Sequence, residues 1–303
     1  MDSALPPIGP LFPLGGPVPE DLIIGRAGEI DDVARRLREG LSTLLVGPRR
    51  IGKTTVCEAV CRMLAEQGVL VIKVDVPERD DCGPLLQQIV DGCASLTVEA
   101  TAKSLLRLLR PTVERILEDQ GVAMDLSALS AEQRQGSTRK ILELPIAVAQ
   151  GESRPVLLFF DELQRVVDYD DGGQVLADLI DLYAGSRHAV VLVDGSDERT
   201  FREMLGAPSH FGKLVDRLDL PGTIPAASWR APLTERFKTA GLRLDEEHRD
   251  RLILWGENRP YETMAVARYT AFAARKTDSD TVTEFDVQMG IDEARRHLAD
   301  DGA

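Results

Sequence analysis

Eight consecutive residues constrain this chain more than any others: Gly47-Pro-Arg-Arg-Ile-Gly-Lys-Thr54. They match the spacing G-x-x-x-x-G-K-[ST], follow the apolar run Thr43–Val46 and precede a helical stretch, so the sequence predicts strand, loop and helix in that order. The chemistry follows from the residue types. Gly47 and Gly52 let the backbone curl around Pro48, Arg49, Arg50 and Ile51 until successive N–H groups point at one anion. The helix behind the loop adds its positive N-terminus. Lys53 then reaches the outer phosphates of a nucleotide, Thr54 offers a hydroxyl to magnesium, and Thr55 lies near the innermost phosphate.

A loop of this kind needs a parallel sheet behind it, and the pattern supplies one. Short apolar runs at Thr43–Val46, Val69–Val74, Val156–Phe160, Ala189–Val193 and Arg217–Leu220 alternate with helical segments. Such alternation predicts an α/β sandwich around a parallel sheet. The chain has 303 residues, enough for about two domains by the usual ~150-residue prior. Residues 1–20 carry Pro6, Pro7, Pro10, Pro13, Pro17 and Pro19 and read as an extended arm, a mobile tail in preference to a segment packed on a surface. Residues 21–222 form the α/β core, interrupted at about 76–154 by a Leu-rich helical insertion that contains Pro111 and Leu105–Leu109. From 223 to 303 the β-like runs stop, and helical patterns fill Ala226–Ala240, Asp245–Trp255, Tyr261–Lys276 and Glu284–Leu298. Thr283 with Asp286, or Thr281 with Glu284, caps the last of them.

The second chemical signal is Val156-Leu-Leu-Phe-Phe-Asp161-Glu162, a buried strand that delivers two carboxylates at its C-terminal end. In an open parallel sheet that end faces the ligand crevice. Asp161 is the expected magnesium holder and Glu162 the base that takes a proton from an attacking water. A third run, Ala189–Gly195, ends at Ser196. Ser196 either senses the outer phosphate or positions water, or it belongs to a Gly-Ser turn with Asp197 capping the helix that follows, and the two readings are compatible.

Charge narrows the partners. Lys and Arg total 36 against 50 Asp and Glu, a net charge of -14, so nucleic-acid binding would require a local basic patch. Arg35, Arg36, Arg38, Arg49 and Arg50 are the residues available for one, and the acidic whole favours solvated side chains instead. Cys57, Cys61, Cys82 and Cys93 lack the paired spacing of a zinc site and read as reduced thiols. No apolar run approaches a membrane span, and residues 1–20 do not read as a signal peptide, so the expected compartment is the cytoplasm.

With Gly47–Thr54, Phe160-Asp-Glu162 and Gly195-Ser196 in that order, the chain resembles AAA+ P-loop ATPases, closest to the prokaryotic archaeal-type or STAND-like branch. Ile24-Gly25-Arg26 ahead of Glu29-Ile30 resembles that branch's entry motif, Asp161-Glu-Leu-Gln164 its D-E-[FIL]-Q extension, and Gly256-Glu-Asn-Arg-Pro260-Tyr261 its G-x-x-P-Y turn. The resemblance spans residues 22 to about 298. It implies a five-stranded sheet of order 5-1-4-3-2 with a C-terminal helical lid. It implies Mg²⁺ and ATP or ADP bound between core and lid, with Ile24, Gly25, Arg26 and Pro260 near the base. It further implies a motor whose hydrolysis moves lid against core and passes that motion to a protein partner or a second copy. An arginine supplied by a neighbouring subunit completes the site in oligomeric relatives. Arg217 is the choice for it here, ahead of Arg199 and Arg202, with a local ion pair as the competing role for each. Arg259 and Arg268 are the available lid arginines. A slowly hydrolysing nucleotide-gated switch or scaffold and a DNA-acting loader or transposition helper are the alternative functions.

Overall fold

The computed structural model describes residues 5–16, 18–78, 81–96, 131–195, 211–277 and 280–300, with side chains of the helix that begins at 131 described from 138. The expected insertion residues Leu105–Leu109 and Pro111, together with Ser196, Arg199 and Arg202, lie outside these ranges. In chain order the elements are α1 (Ile8–Leu11), α2 (Ala27–Arg38), β1 (Thr43–Val46), α3 (Lys53–Glu66), β2 (Leu70–Asp75), α4 (Gly83–Leu96) and α5 (Ala131–Glu152). They continue with β3 (Val156–Asp161), α6 (Gly172–Tyr183), β4 (Ala189–Gly195), β5 (Asp216–Asp219), α7 (Ala226–Thr239), α8 (Glu246–Trp255), α9 (Pro260–Lys276) and α10 (Glu284–Asp300). Contacts divide the chain into two units, one of Ile30–Gly47 with Cys57–Asp219, the other of Met1–Glu29, Pro48–Val56 and Leu220–Ala303.

The first unit is built on a five-stranded sheet in the order β2-β3-β4-β1-β5, which is the expected 5-1-4-3-2 read from the other edge. Every pairing is parallel. The inner strands β1, β3 and β4 are apolar nearly throughout because both faces are covered. β5 differs: it carries Asp216, Arg217 and Asp219 and is largely exposed. Charges on such an edge oppose pairing with another sheet. Helices α4, α5 and α6 contribute Leu85, Leu86, Ile89, Leu142, Val148, Val175 and Leu179 to the same core as Leu158, Phe160 and Val191. The four cysteines are buried and form no disulfide, and burial pushes the thiols of Cys61 and Cys93 up to about 12.

The second unit is helical. Trp229, Leu233 and Phe237 of α7 pack with Leu252 of α8, Val266 and Ala271 of α9, and Val287 and Ala294 of α10. Of the two candidate caps for α10, the pair formed is Thr283 with Asp286: the Thr283 N–H donates to Asp286 Oδ2 at 2.9 Å and the Asp286 N–H to Thr283 Oγ1 at 3.4 Å. Asp245 caps α8 by accepting from the His248 N–H at 2.8 Å.

The proline-rich start departs from the extended, mobile arm the sequence predicts. Ile8 and Phe12 are buried in the helical core, and the Phe12 ring meets Phe237 edge-on at 5.1 Å between centroids. Arg275 donates to Pro6 O at 2.7 Å, and buried Arg236 donates to Leu11 O at 3.0 Å and to Leu22 O. Burial pulls the Arg236 guanidinium down to about 10. The prolines do exclude long regular structure here, but two apolar side chains and the carbonyls beside them are enough to seat the segment. Among the described residues no helix is long and apolar enough to cross a membrane.

Candidate functional site

The loop between β1 and α3 leaves the sheet at Gly47, and α3 begins at Lys53, so the strand–loop–helix context is present. Its curl is made differently from the expectation. The left-handed residues are Arg50, with φ of 68°, and Gly52, with φ of 92°, whereas Gly47 is not among them. A Cβ at Gly52 would meet nothing within 4 Å, so glycine is needed there for its backbone angle and not for room. Lys53 is buried, and its ammonium donates to Pro48 O at 3.0 Å, closing the loop on itself.

Arg26 of the entry motif is buried and holds this loop. Its guanidinium donates to Ile51 O at 3.0 Å, to Pro221 O at 2.8 Å and to Glu29 Oε1 at 2.9 Å. Gly25 before it has φ of 63°, and a Cβ there would stand 2.4 Å from Ile224 Cγ2, so only glycine fits. Ile24 is buried in the helical core. Thr55 Oγ1 receives the Val18 N–H at 3.4 Å. Pro260 is the first residue of α9, where its missing N–H costs nothing. Its neighbour Tyr261 takes the Arg50 guanidinium over its ring at 4.8 Å and shares a 2.9 Å hydrogen bond with His297. Arg259 pairs with Glu257 and Glu262 near the surface, and Arg268 lies over Phe272. The part played by Tyr261 was not foreseen, since only the G-x-x-P-Y spelling hinted at it.

In the sheet unit the register aligns Asp75, Asp161 and Asp194 across neighbouring C-terminal strand ends. Burial, followed by the charges of Glu162 and Asp75, pushes the Asp161 carboxyl up to about 6. Glu162 follows in the left-handed region, with φ of 59° and ψ of 42°. A non-glycine residue there costs of order 1 kcal/mol, and it turns the chain sharply at the end of β3. The Glu162 N–H is held by Asp194 O at 2.9 Å, and the Glu162 carboxylate receives the side-chain amide of Gln164. Arg217 pairs with Asp219 on its own strand, Nε to Oδ1 at 3.0 Å, one register row before the level of Asp161 and Asp194.

These residues fit Mg²⁺. Asp161 is a half-buried carboxylate whose charged form is disfavoured first by burial and then by Glu162 and Asp75, a cost that a bound cation would offset. Among the described residues no three His, Cys, Asp or Glu side chains gather into a metal cage. Magnesium needs none, because one carboxylate and one hydroxyl suffice when phosphate and water supply the other ligands.

Residues 22–193, more than half of the chain, match the family described as AAA ATPase domain. The chain belongs to that family. The fold agrees: the ORC2 protein of Aeropyrum pernix in its ADPNP–ADP complexes superimposes with a TM-score of 0.63 at 17% identity, over 94% of this chain and 71% of that one. A Walker-type ATPase of Pyrococcus abyssi gives 0.61 at 15% identity, over 95% of this chain and 76% of that one. The Aeropyrum pernix ORC1 protein in complex with DNA gives 0.56 at 17%, over 96% and 69%. The sequence matches no curated protein at a significant level. The fold of this AAA ATPase chain, a five-stranded parallel sheet followed by C-terminal helices, is thus similar to that of these solved structures.

Proposed function

We propose that this AAA+ chain binds Mg-ATP and hydrolyses it by water attack on the outer phosphate, using the cycle to move its helical lid against the core and so act on a protein partner or a second copy. The observation that carries the reading is the carboxylate pair at the end of β3: Asp161, raised to about 6 by burial and neighbouring acids, beside Glu162 on a sharp backbone turn. A chain that maintains such repulsion at a strand end is organised for a cation and a proton transfer rather than for stability.

Backbone N–H groups between Gly47 and Lys53 would bind the phosphates, with Lys53 turning its ammonium from Pro48 O to the outer ones. Thr54 and Asp161 would hold Mg²⁺, which neutralises charge on the phosphate oxygens when bound. Glu162 accepts the proton of the water, and Ser196 orients it. Ile24, Gly25, Arg26 and Pro260 would border the base. Arg217 is the residue offered to a neighbouring copy, and its link to Asp219 would have to open for that role.

Steady-state Mg-ATP hydrolysis over a range of protein concentrations tests this, beside Lys53→Ala, Glu162→Gln and Arg217→Ala. The expected result is specific activity that rises with concentration, is lost in the first two variants and no longer rises in the third. Wild type that binds nucleotide yet hydrolyses no faster than Glu162→Gln would overturn the motor reading in favour of a nucleotide-gated switch. DNA binding that falls steeply with salt would point instead to a loader.

A further inference from the structure

Gln164 lies two residues beyond the acid pair, on the short 3-10 turn Leu163–Asp168. Its backbone has little freedom. Leu163 and Val166 on either side are fully buried in the sheet core, and Arg165 donates to Val76 O at 2.6 Å at the end of β2. Arg165 also pairs with Glu78 at 3.4 Å. From this fixed point the buried Gln164 side chain donates its Nε2 to Glu162 Oε2. Chemistry sets the orientation of the amide, because a carboxylate accepts from an NH₂ group and repels a carbonyl. The amide oxygen, Gln164 Oε1, is left buried with no hydrogen-bond partner among the described residues.

That arrangement is unfavourable for folding and useful for chemistry. A buried amide with an unmet acceptor is worse for stability than a hydrocarbon of the same shape. Its one evident return is the grip on Glu162, whose backbone already sits in the sparsely populated left-handed region. Without the amide, the Glu162 carboxylate loses a donor that fixes its Oε2 at the end of β3, and a base displaced by about 1 Å can lose on the order of a hundredfold in rate.

We propose that Gln164 is the positioning residue for Glu162, holding the carboxylate in the one rotamer from which it takes a proton. The inference rests on the reading of Glu162 as the base, and the experiment separates the two. Gln164→Met and Gln164→Leu keep the volume and remove the donor. Each is compared with wild type and with Glu162→Gln for kcat, KM, the Kd of a fluorescent ATP analogue with Mg²⁺, and Tm. The expected result is kcat lower by about ten- to a hundredfold, KM and Kd within twofold of wild type, and Tm unchanged or higher. A structural role would instead lower Tm and weaken nucleotide binding together. If Glu162→Gln stops hydrolysis while both Gln164 variants keep kcat within threefold of wild type, the positioning role is overturned and the base reading stands. If Glu162→Gln hydrolyses like wild type, the base reading itself fails, and the Gln164 inference fails with it.

Discussion

The guanidinium of Arg26 and the carbonyl of Ile51 are joined by a buried 3.0 Å hydrogen bond, which ties the entry motif to the middle of the phosphate-binding loop. The same Arg26 nitrogen also holds Pro221 O at 2.8 Å. Removing it leaves two carbonyls and the Glu29 carboxylate short of a donor. Arg26→Ala is expected to cost about 3 kcal/mol in urea unfolding, with an affinity for Mg-ATP reduced at least about tenfold as the loop loses its support. Arg26→Lys should recover little, because an ammonium cannot reproduce the planar fork that serves three acceptors at once. An Arg26→Lys variant with wild-type stability and affinity would show that charge, not geometry, is what this site requires.

The seated N-terminal segment makes a second prediction. Phe12 is fully buried against Phe237, so Phe12→Ala should destabilise the protein by about 3–5 kcal/mol, the range for loss of a core aromatic. Removal of residues 1–17 should do at least as much, since Arg236 would then lose Leu11 O and stand buried with fewer acceptors. A free arm would give no measurable change in either experiment, read by chemical denaturation.

These two regions show what the sequence carries and what it does not. The sheet was legible because β1, β3 and β4 are written as unbroken apolar runs, and their parallel order follows from the loop and acid pair that terminate two of them. Lys53, Asp161 and Glu162 stood out because phosphate chemistry needs those groups at that spacing, and the structure places Lys53 at the start of α3 and the two acids at the end of β3. Phe12 was not, since its partners Phe237 and Arg236 lie more than two hundred residues away in the chain and no local pattern connects them. For the same reason Arg26 reads as one residue of a motif until its two carbonyl partners are seen. The turn made by Arg50 was hidden by a preference: glycine is the residue expected at positive φ, and an arginine occupies one of the two such positions in the loop.

Arg50 also carries a measurable coupling. Its guanidinium lies 4.8 Å from the Tyr261 ring centroid, and a partly exposed cation–π contact of this kind is worth about 0.5–1 kcal/mol. Arg50→Ala and Tyr261→Leu should therefore be non-additive by about that amount in a double-mutant cycle of urea unfolding. Tyr261→Phe keeps the ring face but loses the hydroxyl that meets His297, so it should retain the coupling to Arg50 while losing stability of its own. Strict additivity of Arg50→Ala and Tyr261→Leu would mean that the stack contributes nothing in solution.

The Asp161 carboxyl gives the chain a stability that depends on pH in a direction opposite to that of most acids. Its folded pKa is raised from 3.8 to about 6, chiefly by burial and then by Glu162 and Asp75, so folding holds its proton more tightly than the unfolded chain does. Below pH 4 both states are protonated and the group is neutral in the balance. Between about pH 4 and pH 6 the unfolded chain ionises first, and the folded state loses ground until the cost levels off above pH 6. Asp161→Asn removes that cost. With metal chelated, the variant should be more stable than wild type by about 1–2 kcal/mol at pH 7.5, a figure reduced from the full shift because the carboxylate keeps solvent contact. The gap should close by pH 4. If Asp161 holds the cation as proposed, adding Mg²⁺ and ATP should raise the Tm of wild type well above that of the variant. A variant no more stable than wild type at pH 7.5 would show that the acids at this strand end are not in conflict, and would remove the observation on which the Mg-ATPase reading leans.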